Sequence, residues 1–269
     1  MRLMRLIFAA LAVLLGTSPI LPQTCVPAPY GIISWYPGEG NAHDIIGNNN
    51  GGITGSVTFG PRKVHEAFWF HGQQNDGVNL GAVPAFDFTA TSSFSIEAWA
   101  NVATLPVQLP DDGYVIVALN YNCNLPTPAT EMLAIQGGTG KALFMIRDAN
   151  GQQVNVLSPA QVPTRTWIHL VGVRDASCPK KRVQLYMNGA LVASAADTTT
   201  VSLANVGPSP VDYIGRRPTC GTNNPFNGGI DEVSIYNRAL TACEIAALYN
   251  ASCAGKCSLG TCTPTGCGC

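Results

Sequence analysis

Residues 226–250 read FNGGIDEVSIYNRALTACEIAALYN, and a strand pattern gives way to a helix pattern inside them. In the second half, Thr241 can cap the backbone while Glu244 reaches back to it, and Ile245, Leu248 and Tyr249 then share one helical face. In the first half, Ile230, Val233 and Ile235 mark a buried strand, yet Asp231 and Glu232 interrupt it. Strict alternation puts Asp231 on one face with Val233 and Ile235, and Glu232 on the other with Ile230 and Ser234. An unpaired carboxylate on an apolar face is too costly to leave uncompensated. Asp231 is therefore expected either to reach water or backbone N–H groups at a strand end, or to meet a cation.

Outward from this stretch, short apolar or alternating runs recur between Gly, Pro and Asn turns: GIISWY, ITGSVTF, EAFWF, FSIEAWANV, YVIVAL, EMLAI, ALFMIRD, QVNVLS, WIHLVGVRD and VDYIG. Many short strands at regular spacing predict an all-β sandwich or barrel. RVQLYM and ALVASA flank Asn188-Gly189, the pair that supplies the two positive φ angles of a type I′ hairpin turn. No internal repeat of fixed period is visible.

Composition narrows the partners. The chain has 269 residues, a formal net charge of -1 and 12% charged residues. Without a Lys/Arg run there is no electrostatic footprint for nucleic acid. The opening MRLMRLIFAALAVLLGTSPILPQTC has Arg2 and Arg5, an apolar run from Leu6 to Leu15 and then small residues, the order of a secretory signal peptide, and the run is too short to span a bilayer. Residues 1–24 are therefore expected to be a leader, 25–252 one domain, and 253–269 a Cys-rich tail. LPQTC also loosely resembles a lipobox, which makes lipid anchoring at Cys25 a minor alternative to secretion. No membrane span is expected in the mature chain.

All ten cysteines, Cys25, Cys123, Cys178, Cys220, Cys243, Cys253, Cys257, Cys262, Cys267 and Cys269, follow that leader. An even set in an exported protein predicts disulfides, and a zinc site is disfavoured because the tail has no CxxC pair and no nearby His.

The stretch G-x-IDEV-x-IYNRAL followed by a short helix resembles the C-terminal signature of laminin G-like jelly-roll domains. CVPAPYGIISWYPGEGNAHDIIGNNNGGITGSVTFG, KVHEAFWFHGQQNDGVNLG, FSIEAWANV, WIHLVGVRD and VQLYMNGALVAS follow in family order, so the resemblance covers about residues 28–250. It implies a concanavalin A-like, two-sheet antiparallel jelly-roll sandwich with one short C-terminal helix. It departs at His71, where such domains usually carry Asp. His65-Glu66 to His71 is not a metalloprotease motif, since H-E-x-x-H needs histidines four apart on a helix. Chain ends lie close together in such a sandwich, so Cys25 is expected to bridge Cys243 or Cys253, although sequence does not fix the pairing.

This fold hosts lectins, glycosidases and adhesion modules, so function follows from sites. A glycoside hydrolase needs two facing carboxylates. No E-x-D-x-E strand is present, and Glu97 stands alone. No G-x-S-x-G elbow supports a nucleophilic triad. The expectation is a secreted, non-catalytic module that recognises carbohydrate or extracellular protein. Trp99, Tyr121, Arg147, Tyr213, Arg216 and Arg217 are the candidate contacts, with packing or solvated roles as the plain alternative for each. A glycoside-active enzyme of the glucanase-like jelly-roll type is the rival. Asp44, Asn48 and Asn50 sit in the Gly-punctuated loop HDIIGNNNGG, and their hard oxygens together with Asp231 would suit a structural Ca²⁺. The resemblance implies the same ion between first loop and last strand.

Overall fold

The computed structural model describes residues 24–106, 113–122, 130–177, 181–204, 211–217 and 225–257. Residues 1–23 of the expected leader, Cys123, Cys178, Cys220, and the tail from 258 with Cys262, Cys267 and Cys269 lie outside the described residues.

Fifteen strands are formed among the described residues. They begin with β1 (Ile32–Tyr36), β2 (Gly52–Thr54), β3 (Thr58–Gly60), β4 (Ala67–His71), β5 (Gly77–Gly81), β6 (Phe94–Val102), β7 (Tyr114–Tyr121) and β8 (Thr130–Ile135). They continue with β9 (Lys141–Arg147), β10 (Gln153–Gln161), β11 (Trp167–Asp175), β12 (Arg182–Met187), β13 (Ala190–Ala196), β14 (Val211–Ile214) and β15 (Asn227–Tyr236), and helix α1 (Ala242–Ala251) follows. One sheet runs β13-β12-β11-β6-β15-β4-β3, with β1 paired to β15, and the other runs β10-β9-β8-β7-β14-β5-β2. All these strand pairings are antiparallel. The result is the expected jelly-roll sandwich.

Alternation explains the sandwich strand by strand. In β6, Phe94, Ile96, Ala98, Ala100 and Val102 enter the core between the sheets, where they meet Ile116, Leu119, Leu133 and Phe144. Each large apolar side chain fully buried there contributes roughly 1.5–3 kcal/mol. Gly172 of β11 marks a close approach of the sheets, because a Cβ there would fall 2.2 Å from the Phe144 ring. The β12–β13 hairpin turns on Asn188 and Gly189 at φ 52° and 80°, as the dipeptide predicts.

Helix α1 has the expected reciprocal cap: Glu244 N–H donates to Thr241 Oγ1 at 3.3 Å, and Thr241 N–H donates to Glu244 Oε2 at 2.9 Å. Its Ile245 and Leu248 pack with Val171, Val173, Tyr186 and Tyr236 on the outer face of the first sheet. Beyond α1 the chain returns to its start. Val26 and Lys256 form a parallel bridge, Cys257 N–H donates to the Val26 carbonyl at 2.8 Å, and Cys25 is disulfide-bonded to Cys257. That corrects the expected partner of Cys25. Gly255, at φ 61°, turns the chain after Cys253, so it is Cys257 that arrives opposite Cys25.

The disulfide closes a loop across a sequence separation of 232 residues. Cys257→Ser is expected to lower the unfolding free energy by about 2–4 kcal/mol in denaturant titrations. Non-reducing peptide mapping should recover a Cys25–Cys257 peptide. An unchanged midpoint with no such peptide would contradict the pairing.

Candidate functional site

The register of β15 decides where its two carboxylates go. Against β6 it pairs Asp231 with Trp99 and then Ser234 with Glu97, so β15 spends one extra residue between those points. The extra residue is a β-bulge, and Glu232 occupies it at φ 56°, a left-handed conformation that costs a non-glycine residue of order 1–3 kcal/mol. Ile230, Val233 and Ile235 all reach the core. The expected split of Asp231 and Glu232 between opposite faces is thus corrected. The bulge delays alternation by one residue and leaves both carboxylates outside the core, on the face that α1 and the chain ends cover.

Asp231 Oδ2 accepts N–H bonds from Lys63 at 2.9 Å and Val64 at 2.8 Å. Its Oδ1 is buried and accepts no hydrogen bond from a described residue. Burial, and then the neighbouring Glu232, push this carboxyl up to about 8 against those two N–H bonds.

Beside it lies a buried ionic cluster that sequence spacing did not reveal. Glu97 projects outward from β6, and its Oε2 accepts a 2.6 Å hydrogen bond from the Tyr236 hydroxyl. His169 Nε2 lies 3.2 Å from Glu97 Oε1. Lys256 Nζ is 3.3 Å from Glu97 Oε1 and 2.9 Å from Glu232 Oε2. Burial alone would raise Glu97, but Lys256 and His169 overcome it and bring the carboxyl down to about 2. Burial would likewise strip the Lys256 proton, and Glu232 and Glu97 outweigh it and keep the ammonium. Burial raises Glu232, partly opposed by Lys256. A carboxylate held this low is a fixed counter-ion and a poor proton donor at neutral pH. The reading of Glu97 as solitary is corrected: its partners come from β11, β15 and the segment after α1. Lys256, alone in a Gly- and Cys-rich stretch, gave no sequence signal.

The candidate ligand contacts separate into two places. Trp99 is on the outer face of the first sheet, with its ring centroid 4.9 Å from His169, 5.8 Å from Tyr249 and 4.2 Å from Lys63 Nζ. That ring is occupied by protein contacts. The other five belong to the second sheet and the turn after β14. Tyr213 pairs with Ala118, which packs with Val115, Met132, Leu143 and Met145 in an outer-face cluster. The guanidinium of Arg216 lies 5.1 Å from the Tyr213 ring centroid, and that of Arg217 lies 5.6 Å from the Tyr121 ring. Arg217 Nη1 also donates to the Tyr121 hydroxyl at 3.4 Å. Burial raises the Tyr121 phenol, and Arg147 partly offsets it, which places Arg147 in the same field. Tyr213, Arg147 and Arg217 are half-buried, whereas Tyr121 and Arg216 are buried.

The four residues expected to hold calcium have different employments. Asp44 Oδ1 accepts from the backbone N–H groups of Trp35, Ile46 and Gly47, and its Oδ2 accepts from the backbone and side chain of Asn49. Those five bonds use the carboxylate's acceptor sites. Asn50 Oδ1 accepts from Asp44 N–H at 3.0 Å, and Asn48 is exposed at φ 57°. As a set of four they do not fit one ion, because the loop's oxygens are spent on its own turn. Among the described residues no group of three or more His, Cys, Asp and Glu side chains is gathered to hold a metal. His71 ends β4 and lies 3.1 Å from Thr58 Oγ1, while His65 sits in a turn at φ 46°.

A second buried pair also went unread. Glu131, raised by burial, and Asp212, pushed by burial to about 7, both meet Asn120. Neither is more than 1% exposed, so both carboxyls are enclosed by the fold.

With this geometry in hand, comparison with known proteins places the chain among relatives. A laminin G family model, described as the concanavalin A-like lectin/glucanases superfamily, matches residues 72–246. No curated protein is matched by the sequence. Domain 4 of AbnA, a GH43 extracellular arabinanase from Geobacillus stearothermophilus solved in complex with arabinotriose, is similar at 19% identity over 80% of this chain and 96% of that one, with a TM-score of 0.59. The binding domain of Paraclostridial Mosquitocidal Protein 1 is similar at 17% identity, 81% and 52% coverage and a TM-score of 0.61. The binding domain of botulinum neurotoxin serotype G is similar at 16% identity, 81% and 50% coverage and a TM-score of 0.57. At such identities the likeness shows the fold alone, and the chain spans about half the length of the toxin domains.

Asp231 binds its proton more tightly folded than unfolded, since about 8 lies above its ordinary 3.8. Its contribution is fully present below pH 3.8 and is lost as pH rises toward 8. Asp231→Asn keeps an acceptor for Lys63 and Val64 without the charge. It is expected to be near neutral at pH 4 and to raise Tm at pH 8.5, flattening the wild-type decline. Equal effects at both pH values would contradict the raised carboxyl.

Proposed function

The chain belongs to the concanavalin A-like lectin/glucanases superfamily, and from that premise we propose that it is an exported, non-catalytic module that recognises carbohydrate or an extracellular protein. The observation that carries this reading is the aromatic and cationic face of the second sheet, where Tyr121 and Tyr213 each lie against an arginine. Tyrosine rings with adjacent guanidinium donors suit both the apolar faces and the hydroxyls of a sugar, and the same chemistry is favoured at protein interfaces. The AbnA domain was solved with arabinotriose, which supports the carbohydrate branch. The toxin relatives are named as binding domains, which supports a binding role more broadly.

Against catalysis stands the employment of the carboxylates. Glu97 is fixed as a counter-ion, Glu232 is paired with the same lysine, and Glu131 and Asp212 are sealed in. The Cys25–Cys257 disulfide supports export, because such bonds persist in oxidising compartments. Among the described residues no helix is long and apolar enough to cross a membrane.

Without the 44–50 loop, whose oxygens are spent on its own turn, the calcium reading narrows to Asp231 Oδ1 alone. Of the four expected ligands it alone offers a buried oxygen without a hydrogen bond from a described residue. Metal-free protein is expected to melt higher when millimolar Ca²⁺ is added, by mass action, and Asp231→Asn to remove the difference. Equal melting temperatures with and without Ca²⁺ would dismiss the ion.

The binding reading is tested on a glycan array with Tyr213→Ala and Arg217→Ala beside wild type, together with a reducing-sugar assay on arabinan and β-glucans. The expected result is a wild-type signal that falls at least tenfold in either variant, and no sugar released. Binding to no glycan moves the proposal to its protein branch. Turnover abolished by Glu97→Gln would overturn it.

A further inference from the structure

Next to the ionic cluster, on the outer side of the first sheet, a cleft of about 290 Å³ opens between the loop after β1 and the β15 bulge. Trp35, Pro37 and Ile45 supply apolar wall, and Glu39, Glu232 and Lys256 supply charge. We infer that this cleft is a second binding site and takes a single neutral sugar ring. This rests on the carbohydrate branch of the proposed function but uses a different face.

Size argues for one ring. The cleft lies just below the roughly 300–1,000 Å³ typical of pockets for drug-sized ligands, so a saccharide chain could place only one unit in it. Its loop is already set. Gly38 turns at φ 80°, with Phe68 backbone N 3.2 Å from where a Cβ would stand. Glu39 Oε2 accepts the Glu66 N–H at 3.1 Å, and Asn41 Nδ2 donates to the Glu39 carbonyl at 2.8 Å. A pre-formed wall avoids an ordering cost on binding.

Hydrogen-bond chemistry selects among ligands. Trp35 is 3% exposed, and its indole N–H makes no hydrogen bond of ordinary geometry with a described residue. It nonetheless lies close enough to Glu232 to help hold that carboxyl down. Glu232 Oε2, although 2.9 Å from Lys256 Nζ, also accepts no hydrogen bond of ordinary geometry. The indole N–H and the Lys256-paired carboxylate of Glu232 thus stand side by side at the cleft, neither held in a bond of ordinary geometry. An alkyl group satisfies neither. An ammonium serves only the carboxylate, and an anion serves the indole but finds Lys256 already held by Glu97 and Glu232 and faces the carboxylates of Glu39 and Glu232. A hydroxyl accepts from one and donates to the other, and a sugar presents several on a ring whose C–H face can pack on Pro37 and Ile45.

The test follows the Trp35 indole resonance in ¹H–¹⁵N spectra, identified by its loss in Trp35→Phe. The probes are the methyl glycosides of glucose, galactose, mannose and arabinose, with methyl glucuronide and cyclohexylmethanol as comparators. At least one neutral glycoside is expected to shift the resonance saturably, with affinity at least tenfold weaker in Glu39→Gln, while both comparators leave it in place. Glu39 is half-buried, and an undisturbed remainder of the spectrum will report that its variant is folded. The inference is overturned if no neutral glycoside moves Trp35, if cyclohexylmethanol moves it equally, or if Glu39→Gln responds as wild type does. A glycan-array signal with a silent Trp35 would overturn this site and leave the other face standing.

Discussion

A single buried ammonium ties the end of the chain to two strands of the first sheet. Lys256 Nζ sits between Glu97 and Glu232, and all three side chains are withdrawn from water. Removing one partner from a buried pair typically costs about 3–5 kcal/mol, because the other charge is left alone. Here one lysine serves two carboxylates, so its removal strands both. The lysine does not come from the sheet. It arrives on the segment after α1, positioned by the Val26–Lys256 bridge and the Cys25–Cys257 bond. The chain ends are thus held on the sandwich by charge as well as by a covalent link.

That constraint explains the bulge. A regular β15 would send one of its two adjacent carboxylates into the core, among Ile96, Leu170 and Phe144. The extra residue at Glu232 turns both outward at the cost of one strained φ, and the outer face then has Lys256 for Glu232 and the 63–64 N–H groups for Asp231. The two outer faces of the sandwich consequently differ in kind. The first is covered by α1 and the terminal segment, with one cleft at its margin, while the second carries paired tyrosines and arginines. Among the described residues, aromatic rings placed against guanidinium groups are found at the second.

Much of the fold was legible in the sequence because its signals are local. Alternation located the main strands, Asn188-Gly189 its hairpin, and Thr241 with Glu244 the cap of α1. The same alternation failed at Asp231-Glu232, where a bulge leaves no mark except two carboxylates in a place they could not both occupy. The ionic cluster was invisible for a different reason. Glu97, His169, Tyr236 and Lys256 are far apart in the chain, and each has an ordinary surface role available when seen alone. The pairing of Cys25 with Cys257 depended on the turn at Gly255, which spacing does not encode. The tyrosine and arginine candidates fall together at the second sheet, whereas Trp99 lies on the outer face of the first, because strand position in the sequence gives no hint of which sheet a strand will join.

The account stands on the coupling between Lys256 and Glu97, and a double-mutant cycle in urea measures it directly. Glu97→Gln and Lys256→Met are each expected to cost about 3–5 kcal/mol. Combined, they should cost less than the sum by at least about 1 kcal/mol, the sign of a shared interaction. Additivity within about 0.5 kcal/mol would show that the two side chains act independently, and would contradict the buried ammonium as the structure's central constraint.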